Sequence, residues 1–128
     1  MGAGRAGTRA QADSARTLLA AAVSAAPDDP TLLARYGVAL AMTGRRDEAI
    51  RAGRRAVELV PAERDAQSAP SVRVHLARIY VLLDQAAPAL DLLAPLTQVP
   101  SWISPAELRS DPTWKSLRRH PRFTRLVR

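Results

Sequence analysis

The sequence predicts an all-α chain: an α-solenoid of antiparallel helix pairs closed by a short helical C-terminal cap. Three observations predict it. Apolar residues recur at helical spacing through most of the chain. Gly and Pro punctuate these segments at helix-length intervals, where helices stop and turn. The pattern of residues 30–63 is echoed, less completely, on both sides of it.

Residues 1–9 read as a flexible leader. Gly2, Gly4 and Gly7 have the letter spacing of a dinucleotide fingerprint. That fingerprint works only between a buried strand and a helix, and only Met1 precedes it here. Ala6 stands where a myristoylation pattern requires Ser or Thr. Residues 10–29 read as a partial repeat, an Ala-rich helix with Ala15, Leu18, Leu19, Ala22 and Val23 on one stripe, closed by Pro27-Asp28-Asp29-Pro30. A helix array that begins in mid-unit leaves an apolar face uncovered. The expectation is therefore the end of a longer protein, or a start codon assigned too late.

Residues 30–63 form the best-defined unit. Asp29 can cap the first helix and Pro30 fits its first turn, where a missing N–H costs nothing. Leu32, Leu33, Tyr36, Gly37 and Leu40 make one apolar face. Gly44 supplies the left-handed residue that ends the helix. A second helix follows with Ala49, Ile50, Gly53, Ala56, Val57 and Val60, and Pro61 stops it. Small residues facing Leu and Tyr let the two helices approach closely.

Residues 61–70 read as a polar connector. Residues 70–98 then form a divergent repeat. Val72, Leu76, Ala77, Ile79, Tyr80 and Leu83 stripe its first helix; Ala89, Leu90, Leu92, Leu93 and Leu96 stripe its second. Asp84 occupies the position of the turn glycine. Residues 99–128 read as the cap. Ser104-Pro105-Ala106-Glu107 is a capping-box start, and Asp111-Pro112 and Pro121 open two further short helices. Trp102, Ile103, Leu108, Trp114, Leu117, Phe123 and Leu126 supply its apolar contacts.

The spacing of Leu33, Tyr36-Gly37, Leu40, Gly44, Ala49, Gly53, Ala56 and Pro61 resembles that of the tetratricopeptide repeat, a unit of ~34 residues. Ala77, Tyr80 and Ala89 repeat the match, whereas Leu40 and Gly53 depart from the usual Tyr and larger residue. The segment from Asp65 through Leu76-Ala77-Arg78-Ile79-Tyr80 to the Pro-Ser-Trp, Leu-Arg-Ser-Asp-Pro-Thr-Trp and Leu-Arg-Arg-His-Pro-Arg-Phe elements looks like the C-terminal end of bacterial multidomain regulators. In those, such repeats follow a serine/threonine kinase, adenylate cyclase or winged-helix domain. With the repeats, the resemblance spans nearly all of residues 13–127. The motifs of those upstream domains are missing from this chain.

With 128 residues the chain has the length of one domain. No Cys is present, which removes disulfides and Cys-based metal sites. No segment has signal-peptide character, and no apolar run approaches the ~20 residues needed to span a membrane. The expected setting is cytoplasmic, without membrane insertion. The net charge is +7, and 18 of the 19 basic residues are Arg, with no Asn anywhere. This bias resembles a GC-rich bacterial coding sequence. Residues 101–128 alone carry +5.

No catalytic constellation emerges. His75 and His120 lie in different elements, and the adjacent acids Asp28-Asp29 and Asp47-Glu48 sit at helix starts, where the helix dipole accounts for them. Neither a cofactor nor a metal is expected, nor an enzyme activity of the chain itself. The resemblance implies a binding module, because the first helix of each pair in such arrays lines a concave groove for peptides. On that face lie Arg35, Val38, Met42, Val74, His75, Arg78 and Leu82. Arg35 and Arg78 can receive carboxylates in bidentate pairs. The Lys/Asn clamp of chaperone-tail-binding relatives has no counterpart in a chain without Asn. The expected partner is a protein or peptide, or an upstream domain of a parent protein. The alternative is a regulatory C-terminal fragment of one of the signalling proteins named above. A nucleic-acid role for Lys115, Arg118, Arg119, Arg122, Arg125 and Arg128 is disfavoured, since Trp114, Leu117 and Phe123 are better explained as packing.

Overall fold

The computed structural model describes residues 2–61, 68–98 and 103–127. Within them every regular element is helical. The order is α1 (Gly2–Ala25), α2 (Pro30–Met42), α3 (Arg46–Leu59), α4 (Ser68–Leu82), α5 (Ala86–Leu96), α6 (Pro105–Ser110), the 3₁₀ helix η1 (Pro112–Arg119) and α7 (Pro121–Leu126).

The helix boundaries follow from local chemistry. Asp29 accepts a hydrogen bond from the Leu32 backbone N–H at 3.1 Å, with Pro30 in the first turn. Gly44 takes φ 79°, and the Arg45 N–H reaches back to the Leu40 carbonyl at 2.9 Å, closing the helix end. Asp84 does the same after α4 at φ 61°, with the Gln85 N–H on the Tyr80 carbonyl at 2.8 Å. Ser104 and Glu107 form the complete capping box of α6. Asp111 accepts from the Thr113 N–H at 2.9 Å and starts η1.

Links of a few residues join α2 to α3 and α4 to α5, and each pair packs closely. Both α2 and α3 pack against α4, so the two pairs share one interface. At its centre lies Ile79, which is fully buried. A Cβ built on either Gly37 of α2 or Gly53 of α3 would come within 2.7 Å of the Ile79 Cδ1. Ile79 is thus a wedge that only two glycines accommodate. A second, smaller cluster of Leu33, Ala34, Ala56, Val60 and Val72 ties the other end of α2 and α3 to α4.

The main cluster continues from Ile79 through Tyr80, Leu90, Leu93 and Leu96 into the C-terminal segment, where Leu108, Trp114, Leu117 and Phe123 are buried. Here η1 packs on α4, and α7 packs on α5. Trp114 is 1% exposed and Phe123 2%. Their rings fill the interior of this segment.

Two sequence expectations differ from what is seen at the N-terminus. Helix α1 begins at Gly2, so the stretch read as a leader is helical from there on. A glycine in a helix costs about 1 kcal/mol relative to Ala, and no proline interrupts the run upstream of Ala10. Leu18, placed on the apolar stripe, is 73% exposed, while Ala12 is 5% exposed. Of its neighbours α1 packs chiefly on α2, and one helix covers only a narrow strip. Most of the polar connector and Trp102 lie outside the described residues.

Candidate interaction surface

Helix α2 lies directly against α4, and the residues read as a groove are distributed over these two helices. Neither helix contains an Asp or Glu. Arg35 is exposed and makes no hydrogen bond or ion pair among the described residues. Val38 and Val74 are half-buried and pack against the core.

Met42 and Leu82 are 43% and 45% exposed. They occupy corresponding positions: each is the last residue of its helix, two before the left-handed residue Gly44 or Asp84. Together with Leu18 they are the exposed large apolar side chains of the described residues. Two of the three therefore fall at one position of two neighbouring helices.

His75 is half-buried, with Nδ1 2.8 Å from the Ser71 carbonyl oxygen one turn earlier. Arg78 is also half-buried, and its Nε is shielded from solvent without a hydrogen-bond partner. Its charge is felt by Asp111 at the start of η1. The Asp111 carboxyl is held below its ordinary value, first by the Thr113 backbone hydrogen bond, then by the Thr113 side chain, with Arg78 adding a smaller share against the opposing effect of burial. Arg78 belongs to α4, on which η1 packs. Sequence reading treats Asp111 as a helix cap and does not connect it with Arg78, because no local pattern links the two positions.

Other surfaces are grooved as well. A shallow groove of about 500 Å³ runs along the outer side of α3 between Asp47, Ile50, Arg51, Arg54, Arg55 and Glu58. Within it Arg55 pairs with Asp28 and Glu58, and the Arg54 Nε donates to the Tyr80 hydroxyl at 3.1 Å. A groove of about 230 Å³ lies between Leu90 and Ala94 of α5 and Arg122, Arg125 and Leu126.

Among the described residues, no group of three or more His, Asp or Glu side chains is arranged to hold a metal ion. No described helix is long and apolar enough to cross a membrane. Compared with protein-family models, with curated proteins and with solved structures, the chain matches none.

Proposed function

We propose that this chain is a non-catalytic interaction module of tetratricopeptide-repeat type, with α2–α3 and α4–α5 as consecutive units. Its α2–α4 face holds a peptide or a neighbouring protein domain. The observation that carries the reading is the pair Met42 and Leu82, exposed at corresponding positions of adjacent helices. An apolar side chain costs solubility when left in water, and apolar residues grouped on one surface mark contact sites where singly scattered ones do not. Arg35, exposed and unpartnered on the same helix as Met42, adds a charge that can accept a carboxylate in two parallel hydrogen bonds. Both helices lack acids, so nothing on them competes for that carboxylate.

The test is a random peptide library panned on the whole chain, followed by affinity measurement of enriched peptides on three proteins: the parent chain, Met42→Asp and Arg35→Glu. The expected result is a loss of about tenfold or more for each substitution, the scale of removing one well-packed contact. Both residues are exposed, so their replacement leaves the core intact. Arg78 is a poorer probe, since reversing its charge also sets it against Asp111. Peptides that bind all three proteins equally would place the binding surface elsewhere.

A further inference from the structure

The second charged surface lies on the C-terminal segment. From Pro112 to Val127 the chain carries Lys115, Arg118, Arg119, Arg122 and Arg125 and no acid. Arg118 donates to the Arg109 carbonyl, and Arg122 pairs with Asp91 of α5 at 2.5 Å. Lys115, Arg119 and Arg125 are exposed, with no hydrogen bond or ion pair among the described residues. Beside Arg122 and Arg125 lies the groove floored by Leu90, Ala94 and Leu126.

Two properties narrow what such a surface recognises. The aromatic rings of the segment, Trp114 and Phe123, are buried, so none is offered to stack on a base. No large apolar side chain of the segment is exposed, so nothing is available to enter a lipid interface. What remains is one unmatched cation, Arg125, beside an apolar floor. At about 230 Å³ the groove is smaller than a drug-sized pocket and suits a single side chain.

We propose that the α5–α7 groove docks an acidic peptide segment, with one apolar side chain against Leu90, Ala94 and Leu126 and a flanking carboxylate on Arg125. The Asp91–Arg122 pair is the internal example of the contact: the carboxylate next to Leu90 in α5 meets a guanidinium of α7. Arg125, one turn further along α7, has the same chemistry and no such partner. A phosphodiester backbone would use the cations and gain nothing from the floor. The proposal is independent of the α2–α4 face and uses none of its residues.

The experiment is fluorescence anisotropy on the whole chain with three labelled probes. One is a peptide with a central Leu flanked by two Glu on each side. The second has Ser in place of that Leu. The third is a short nucleic-acid duplex. The Leu peptide should bind, and the Ser peptide should bind about fivefold more weakly, a part of the transfer gain of a Leu side chain. Arg125→Glu should weaken the Leu peptide by about tenfold, attraction being replaced by repulsion. Arg46→Glu makes the same charge change on exposed α3 and should shift binding less than about twofold, by screening alone. Both positions are exposed and unpartnered, and unchanged thermal melts verify that the fold is kept. Three results overturn the proposal: no binding of the Leu peptide, Ser-peptide or duplex binding as tight as that of the Leu peptide, or equal losses for Arg46→Glu and Arg125→Glu.

Discussion

The pairs α2–α3 and α4–α5 are both closely packed helix pairs, and they are closed in different ways. Where the first pair has Gly37 and Gly53, the second has Ala77 and Leu93 at the corresponding positions. The glycines clear a path for Ile79, so the first pair is sealed by the close approach of α4. The second pair fills its interior with Leu93 and Leu96 and is sealed by Trp114, Leu117 and Phe123 from the C-terminal segment. The turns differ too: Gly44 is at ease at φ 79°, whereas Asp84 holds φ 61° with a side chain present. A helix pair can thus be completed by removing side chains or by adding them.

The largest way to break this contrast is at the second pair. Trp114→Ala deletes a ring that is 1% exposed and should cost about 3–5 kcal/mol, read from urea unfolding of the whole chain. A loss below about 1 kcal/mol would show that the C-terminal segment does not seal α4–α5.

The first pair should resist any added atom at its narrowest point. In Gly37→Ala the new Cβ would stand 2.7 Å from the Ile79 Cδ1 and 3.1 Å from the Ala49 carbonyl oxygen. Backbone cannot give way as a side chain can, so the expected loss is about 1–3 kcal/mol despite the gain in helix propensity. At Gly53 the close atoms are the ends of the Ile79 and Leu76 side chains. Gly53→Ala should therefore cost less than Gly37→Ala, and less again in an Ile79→Val background, where the contacted methyl is gone. Equal costs at the two glycines, measured by the same unfolding curves, would contradict the wedge.

The turns give a smaller effect with opposite signs. Gly44→Ala forces a side chain into the left-handed region and should cost about 1–2 kcal/mol. Asp84→Gly relieves that strain and should stabilise by up to about 1 kcal/mol, offset by the extra freedom of glycine in the unfolded chain. Thermal melts of the two variants would show melting points moving in opposite directions.

Smallest is the pH response of Asp111. Its folded-state pKa is lowered, so its contribution is complete above the unfolded value of about 3.9 and is lost as pH falls through the folded value. Asp111→Asn keeps the cap but removes the titration. The variant should show a shallower drop in melting temperature than the parent chain between about pH 5 and pH 2.

Much of this architecture was legible in residue order. Asp29, Gly44, Ser104–Glu107 and Asp111 announce helix ends by chemistry that acts within a few residues, and each does so in the structure. The stripes of α2 to α5 also hold, because a core-facing position recurs with the period of the helix. What depends on how helices are set against one another was not legible. The Ile79 wedge needs the register of α4 against both α2 and α3. The Arg78–Asp111 relation needs η1 folded back on α4. At Leu18 the periodicity was right and the exposure wrong, because a stripe does not tell how many neighbours will cover it. The seven residues expected to line a groove show the same limit: their helices are adjacent, yet Val38 and Val74 are half-buried against the core while Arg35, Met42 and Leu82 remain at the surface.

In the function proposed above, α2 and α4 present one shared contact face. The most direct measurement is an amide chemical-shift titration of the whole chain with a peptide enriched by panning. The largest shifts should fall on Arg35, Met42 and Leu82 and their helical neighbours, and should disappear in Met42→Asp. Shifts confined to the outer side of α3, between Asp47 and Glu58, or shifts that persist unchanged in Met42→Asp, would contradict it.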